Sequence, residues 1–379
     1  MKIGILTLQL YTNYGGILQA YALQNHLKEM GHDVWFIDRE INYNLPLLKV
    51  PLVLSKRITK KYLFNNKNVD LFFESKLKKE SAIATRKTKL FINDKINPKI
   101  TIANLNKLSK NCFDAIIVGS DQVWRPRHFM PIENAFLSFA KKWNIIRISY
   151  AASFGSDQWE YDCKQTRKCS KLLKQFDAVS SREDSGVKMC SKYFGVNSIQ
   201  VLDPTMLLKK ENYIDLIKKN QSPKSVGDLF IYMLDSDQQK LEMINIVAKN
   251  LNYIPFYSST DSNFEPLEKR IATEVEIWIR SFYDAKYILT DSFHGCVFSI
   301  LFNKPFIVFG NEIRGLSRFN SLLKMFDLED RLIINNKDIL DIIKKPIIWQ
   351  KVNGILEDEK NKSIKFLINS LTSKQKIHV

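Results

Sequence analysis

The chain has 379 residues, of which 45% are hydrophobic and 26% are charged. These values are typical of a globular protein, and the length exceeds that of one ordinary core, so we expect two domains and no long disordered stretch. Apolar runs stay well short of the roughly 20 residues that cross a bilayer, and the first residues lead into a glycine turn, so we expect a cytoplasmic protein without a spanning segment or a signal peptide.

The formal net charge is +17, and the five cysteines show no paired short spacing. Reduced thiols and no metal site are the simplest interpretation of those cysteines. The positive excess is uneven, because residues 55–90 hold eleven Lys or Arg and three acids, interleaved with apolar clusters. Such a segment suits nucleic acid or an anionic membrane surface, whereas a solvated helical face explains it equally well. Of the first two partners we expect the membrane and no nucleic acid.

Strand-like runs alternate with helix-like segments over residues 1–205, which predicts a first domain built on a mostly parallel sheet. The clearest helix is predicted over 16–30, where apolar residues share one face and Gly31 follows the end. The strand-like runs are KIGILTL (2–8), DVWFID (33–38), DAIIVG (114–119), IRISYAAS (146–153), DAVSSR (177–182) and IQVLDP (199–204).

The alternation begins again after residue 205 and predicts a second domain over 206–346. Residues 45–110 lack the strand rhythm, so we expect a helical insertion there in the first domain. The remaining residues, 347–379, are expected to form a helical tail. The fold class is therefore α/β, with two Rossmann-like domains facing across a cleft.

Turns that follow parallel strands meet at one edge of a sheet, where ligands bind. The first such turn carries Asn13, Gly15 and Gly16 before a helix, which suits close approach of a substrate oxygen or phosphate to the backbone. It lacks the three spaced glycines of a dinucleotide site. We therefore expect substrate binding, without a nicotinamide cofactor, at this turn.

Two further turns carry polar groups of the kind that bind hydroxyl-rich ligands. Ser120, Asp121 and Gln122 follow one strand, and Ser153 follows the next. An Asx turn is the alternative explanation for the first group.

Arg182 ends a strand beside a predicted helix start, where a guanidinium can bind a phosphate or carboxylate with two hydrogen bonds. The alternative is a salt bridge to Glu183 or Asp184.

His294 lies in TDSFHG, between an apolar strand and an apolar helix. At that turn it can act as a general acid, with Ser292 and Gly295 beside it as binding residues. A histidine that only caps the helix is the alternative.

Six motifs in order resemble the polysaccharide pyruvyl transferase family over roughly residues 1–335. The resemblance implies a GT-B-like fold, with a C-terminal helix that returns to the first domain. The motifs are NYGGILQAYAL (13–23), VGSDQVW (118–124), YAASFG (150–155), SSRED (180–184), VLDPT (201–205) and TDSFHG with FNKPF (290–306).

The resemblance also implies a reaction, in which the pyruvyl group of phosphoenolpyruvate becomes a cyclic ketal on two hydroxyls of one sugar. His294 matches the family's catalytic histidine, and Arg182 matches an arginine implicated in phosphoenolpyruvate binding. The implied role is in exopolysaccharide or capsular polysaccharide biosynthesis, without a cofactor. The resemblance leaves open whether a divalent ion stimulates the reaction. The acceptor is either a finished polymer or a lipid-linked repeat unit. Because no spanning segment is expected, we favour a glycan on polyprenyl diphosphate, which would place the enzyme at the inner membrane face.

One position departs from the family, because many relatives have an arginine two residues before the histidine, where this chain has Ser292. We expect Arg314 or Arg318, with Lys304, to supply the missing charge. The alternative is that both arginines lie on a surface helix or pair with Glu312. A glycosyltransferase that uses a nucleotide sugar and a non-catalytic glycan-binding relative remain the alternative functions.

Overall fold

Two parallel sheets form the frame of the molecule, which confirms the predicted α/β class. The structure is a computed structural model, and it describes residues 1–40, 45–235, 237–258, 271–310, 315–334 and 339–372. Each sheet is formed of parallel strands connected through helices, as expected of Rossmann-like domains.

The first sheet has seven strands in the order β3-β2-β1-β4-β5-β6-β7. Its central strands are covered on both faces, because helices pack on each side, and residues such as Ile3, Ile117 and Ile148 are fully buried. The strands are β1 (Lys2–Leu6), β2 (Asp33–Arg39), β3 (Lys99–Ile102), β4 (Ala115–Val118), β5 (Ile146–Ala152), β6 (Ala178–Ser181) and β7 (Ile199–Gln200).

The second sheet has five strands in the order β12-β11-β10-β8-β9. β9 lies on one side of β8, whereas β10 and the later strands lie on the other side. The turn after β10 is therefore near the middle of the sheet edge. The strands are β8 (Leu229–Tyr232), β9 (Pro255–Tyr257), β10 (Tyr287–Thr290), β11 (Phe306–Phe309) and β12 (Leu332–Ile333).

Thirteen α-helices lie within the described residues. They are α1 (Tyr14–Glu29), α2 (Val50–Ile58), α3 (Phe73–Ala84), α4 (Arg86–Lys95), α5 (Cys163–Leu173), α6 (Asp184–Met189), α7 (Lys210–Lys219), α8 (Gln238–Leu251), α9 (Val275–Asp284), α10 (Phe293–Leu301), α11 (Ser317–Met325), α12 (Ile339–Lys344) and α13 (Trp349–Thr372).

The segment 45–110 differs from the prediction of a purely helical insertion. It contains the helices α2, α3 and α4, but Lys99–Ile102 form β3, which pairs with β2 at the edge of the first sheet. Sequence reasoning missed this strand because it has four residues and is only partly buried, so it lacks a long apolar run.

Helix α1 positions the first cluster of candidate residues. Asn13 is its N-cap and accepts a hydrogen bond from the Gly16 backbone N–H at 3.2 Å. The apolar face predicted for the helix is buried, and Gly31 adopts a φ of +87° just beyond its end. Residues 13–16 are consequently held at the carboxyl edge of β1.

Helix α13 lies against the first sheet, beside β5. The Leu202 backbone N–H donates to Ser363 Oγ at 3.0 Å, and the rings of Tyr150 and Phe366 lie 6.3 Å apart. Leu367 and Leu371 are buried in the same hydrophobic cluster as the first sheet. The last described helix therefore returns to the first domain after the second domain has ended.

This packing predicts different effects at two neighbouring positions of α13. Leu367 is fully buried and Ile368 is 45% exposed. Leu367→Ala should lower the free energy of unfolding by about 2–5 kcal/mol because it leaves a cavity. Ile368→Ala should change the same quantity by less than about 1 kcal/mol, as measured by urea denaturation. Equal effects would show that α13 does not pack in this register.

Candidate active site

A cavity of about 420 Å³ lies where the carboxyl edges of the two sheets meet. The first domain contributes the turns after β1 and β4, and the second domain contributes the turns after β8 and β10. The lining residues are Thr12, Asn13, Tyr14, Asp121, Gln122, Tyr232, Leu234, Ala272, Asp291, Ser292, Phe293, His294 and Arg318.

His294 lies in the first turn of α10, and its ring contacts the start of α1 closely. Ser292 caps α10 by accepting a hydrogen bond from the Gly295 backbone N–H at 3.4 Å. A Cβ atom at Gly15 would lie 1.9 Å from His294 Nδ1. Only glycine at position 15 therefore lets the imidazole from the second domain pack against the helix of the first domain.

The other ring nitrogen of His294 faces a buried carboxylate. Nε2 lies 3.5 Å from Asp203 Oδ2, and the Asp203 side chain is completely buried. Asp203 Oδ1 accepts hydrogen bonds from the Thr205 backbone N–H at 3.0 Å and from Thr205 Oγ1 at 2.7 Å. These bonds fix the carboxylate, so Oδ2 is left for charged partners.

Arg182 is the second partner of Asp203. Its Nη1 donates to Asp203 Oδ2 at 2.9 Å, and its Nη2 lies 3.4 Å from Asp121 Oδ1. The guanidinium also stacks over the Phe293 ring at 4.2 Å. Arg182 is thus buried and paired with two carboxylates, and it is not among the residues that line the cavity.

The two carboxylates are held ionised by their neighbours. Burial would raise the pKa of Asp203, but His294 and Arg182 outweigh it and hold the pKa well below its usual value. Burial acts on Asp121 in the same way, and Arg182, His294 and Arg318 together lower its pKa. The pKa of Arg182 is raised, since burial is outweighed by Asp203 and Asp121.

Asp121 presents its carboxylate to the cavity. Asn13 Nδ2 donates to Asp121 Oδ2 at 3.2 Å, so the turns after β1 and β4 are joined directly. Gln122 also lines the cavity and accepts a hydrogen bond from Arg125 Nη1 at 3.0 Å. A charged acceptor and neutral amides consequently lie together on the first-domain wall.

Three expected binding residues lie behind the cavity lining, Ser120 and Ser153 in the first domain and Gly295 in the second. Ser120 Oγ donates to the Ala151 carbonyl at 2.8 Å and lies 3.3 Å from Asp203 Oδ2. Ser153 Oγ donates to Glu183 Oε1 at 2.8 Å. Gly295 packs so tightly on Thr290 that a Cβ would lie 2.1 Å from its Oγ1.

The cations proposed for the missing charge fall in different places. Arg318, in α11, lines the cavity, and its guanidinium lies 6.0 Å from the Phe293 ring centroid. Arg314 lies outside the described residues. The prediction for Lys304 is wrong, because Lys304 precedes β11 and therefore lies at the amino edge of the sheet, where its Nζ donates to the Tyr283 carbonyl at 2.7 Å.

Sequence reasoning missed Asp203 and Asp291 as site residues. Asp291 lines the cavity, and its Oδ2 forms a buried 2.7 Å ion pair with Lys240 Nζ. The Leu234 backbone N–H donates to its Oδ1 at 2.6 Å, so this carboxylate holds the turn after β8. The available signal was an acid at the end of an apolar run in both VLDPT and TDSFHG.

Two absences apply to the part of the chain that the structure describes. It contains no group of three or more His, Cys, Asp or Glu side chains placed to hold a metal ion. Nor does any helix within those ranges combine the length and apolar character needed to cross a membrane.

Fold and cavity together define a two-domain α/β protein with a polar site between its sheets. The family model described as polysaccharide pyruvyl transferase matches residues 13–313, which is most of the chain. The chain therefore belongs to the polysaccharide pyruvyl transferase family. A search of curated proteins finds no match.

Solved structures of low similarity cover nearly the whole chain. The UDP-N-acetylglucosamine 2-epimerase from Rickettsia bellii is 10% identical, with a TM-score of 0.45, over 98% of this chain and 97% of its own. The epimerase from Neisseria meningitidis, bound to UDP-GlcNAc, is 12% identical, with a TM-score of 0.47, over 98% and 100%. Similarities at this level indicate nothing about the substrate of this chain.

The charge pairing of Asp203 predicts a pH-dependent stability difference. Asp203→Asn should lower the free energy of unfolding by about 3 kcal/mol at neutral pH, because the buried Arg182 loses the nearer of its two carboxylate partners. The wild-type pKa is lowered by folding, so the stabilisation is present above the unfolded pKa of about 3.9 and is lost as pH falls through the folded value. The difference in unfolding free energy between the wild type and Asp203→Asn should therefore shrink below about pH 4.

Urea denaturation of both proteins between about pH 3 and pH 7 measures this difference. Asp157→Asn, at an exposed aspartate, is the matched control and should leave the midpoint unchanged at each pH. A constant deficit of Asp203→Asn across the whole range would contradict the assigned charge state.

Proposed function

We propose that this protein transfers the pyruvyl group of phosphoenolpyruvate to two hydroxyls of one sugar, which forms a cyclic ketal during surface polysaccharide biosynthesis. The observation that carries the proposal is the contact of His294 with Asp203 and Gly15 at a cavity that Arg318 also lines. Family membership supports the same reaction class.

Phosphoenolpyruvate carries a carboxylate and a phosphate, so its binding site needs positive electrostatic potential. Helices α1 and α10 both begin at the cavity, with their N-caps Asn13 and Ser292 in its wall, and helix N-termini favour anions. Arg318 adds a full positive charge from α11. These three elements are the proposed donor site.

The proposed first step is proton transfer from His294 to the methylene carbon of phosphoenolpyruvate. The carbon that bears the phosphate oxygen then becomes electrophilic, and a sugar hydroxyl attacks it. Asp203 supports this role because its buried carboxylate compensates the charge of a protonated imidazole. Asp121, ionised in the cavity wall, is the proposed acceptor of the hydroxyl proton.

In the second step, the carbon–oxygen bond to phosphate breaks and the second hydroxyl closes the ring. The two hydroxyls lose two protons in total. One replaces the proton that became part of the methyl group, and the other leaves with phosphate as hydrogen phosphate. Atoms and charge balance without an oxidant, a reductant or a cofactor, and a divalent ion is not part of the scheme.

The proposed acceptor is a glycan repeat unit on polyprenyl diphosphate. In that case the enzyme works in the cytoplasm, as a peripheral protein at the inner face of the membrane. The basic and apolar segment 55–90 supports a membrane contact.

Incubation with phosphoenolpyruvate and a candidate glycan tests the proposal. It requires release of phosphate together with a glycan mass gain that corresponds to one pyruvate ketal. Sugar transfer from a nucleotide sugar, with phosphoenolpyruvate unused, would instead establish a glycosyltransferase. Glycan binding without either reaction would establish a non-catalytic relative.

His294→Gln should lower kcat by about 10²-fold or more, because glutamine cannot donate a proton as an acid. Its thermal midpoint should stay close to that of the wild type. His32→Gln, outside the cavity, is the matched control and should retain full turnover. Near-wild-type turnover of His294→Gln would overturn the assignment.

Arg318→Met should raise the apparent KM for phosphoenolpyruvate by about tenfold or more, the scale of a charge-assisted contact. The KM for the glycan should change much less. Lys304→Met removes a charge from the opposite edge of the same sheet and should leave both constants unchanged. Equal behaviour of the two variants would mean that the charge at Arg318 does not act on the donor.

A further inference from the structure

Helices α2 and α3 form a hairpin whose end exposes large apolar side chains. Every residue of α2 is at least partly exposed. We call residues 59–73, which join α2 to the start of α3, the tip. Its exposed apolar residues are Tyr62 at 67%, Leu63 at 79%, Phe64 at 75%, Phe72 at 68% and Phe73 at 50%.

Specific contacts hold the hairpin together. Arg57 donates two hydrogen bonds of 2.7 Å to the carboxylate of Glu74, one to each oxygen, and a third of 3.2 Å to the Leu71 carbonyl. The base of the tip is thus closed by a bidentate ion pair between α2 and α3. The apolar side chains are exposed on an ordered element.

The charge of this segment identifies the kind of surface that it fits. Lys60, Lys61 and Lys67 lie among the apolar residues of the tip, within a segment of eleven cations and three acids. Lysine is depleted at protein–protein interfaces, whereas exposed aromatics beside lysines are favoured at anionic bilayers. A merely solvated face would not expose five large apolar side chains together.

The other end of α3 reaches the rim of the cavity. The Ala272 backbone N–H donates to the Ala84 carbonyl at 3.2 Å, and Ala272 lines the cavity. Thr88 Oγ1 donates to the Tyr11 carbonyl at 2.8 Å, next to the lining residue Thr12. Helix α3 has 12 residues, so the tip lies about 16 Å along its axis from the rim.

We propose that the tip docks on an anionic bilayer, so that the cavity beside α3 receives its glycan acceptor from a lipid carrier in that bilayer. The claim that the tip docks on a bilayer rests only on the features of the tip. The claim that the acceptor comes from a lipid carrier rests on the proposed function.

Sedimentation with vesicles of phosphatidylglycerol or of phosphatidylcholine tests docking without any assay of activity. The wild type should pellet with phosphatidylglycerol at low salt and should stay in solution with phosphatidylcholine or at high salt. Two triple variants of the tip should each weaken vesicle binding by about tenfold or more. They are Tyr62→Ser/Leu63→Ser/Phe64→Ser and Lys60→Gln/Lys61→Gln/Lys67→Gln.

Lys218→Gln/Lys219→Gln/Lys224→Gln is the matched control, because it removes three exposed lysines from another surface. Vesicle binding that is unchanged in the tip variants, or reduced equally in the control, would overturn docking by the tip. Self-association of the wild type that the tip variants abolish, without vesicle binding, would assign the surface to a second copy instead.

Activity separates the acceptor part from the proposed reaction. Both tip variants should keep wild-type kcat with a soluble oligosaccharide acceptor and lose about tenfold or more in kcat/KM with a lipid-linked acceptor in vesicles. Equal losses with both acceptors would overturn the link between docking and the acceptor. A wild type that uses neither acceptor with phosphoenolpyruvate refutes the proposed reaction, while the vesicle result stands by itself.

Discussion

The buried carboxylate of Asp203 is the constraint on which the site depends. A buried ion is costly unless it is paired and hydrogen-bonded, and Asp203 meets this requirement with groups from four separate parts of the chain. Thr205 holds one oxygen, while Arg182, Ser120 and His294 surround the other. Since Arg182 and Ser120 follow strands of the first sheet and His294 follows a strand of the second, satisfying one carboxylate also aligns the two sheet edges. The cavity geometry is therefore set before any ligand binds.

Close backbone approach makes this alignment sterically possible. His294 can reach Asp203 only because Gly15 presents no side chain where the imidazole lies. The same contact brings the N-terminus of α1 against the N-terminus of α10, so two positive helix ends face one cavity. Ionised Asp121 and Asp203 offset part of that potential, and both are paired with the buried Arg182.

The sequence predicted those parts of the structure that depend on local patterns. Alternating apolar runs indicated both parallel sheets, and the polar turns after β1, β4 and β10 indicated which loops line the cavity. Short and partly exposed strands such as β3 were not predicted, because their pattern resembles that of a loop. Pairing between distant residues was not predicted either, so Asp203 was not recognised as the partner of His294. Lys304 was misplaced because α10 carries the chain from one edge of the sheet to the other, so a residue just after that helix lies far from the turn that holds His294.

Ser292 both caps a helix and lines the cavity. Its hydroxyl caps α10, which an arginine side chain does not do in this way, so the cap and the extra charge are alternatives at that position. Arg318 brings a positive charge to the cavity wall, and its helix is held across the cleft. Ser321, one turn further along α11, accepts hydrogen bonds from the Asp184 backbone N–H at 2.9 Å and from Gln200 Nε2 at 2.8 Å. Because both donors belong to the first domain, this contact between the domains also positions the helix that carries Arg318.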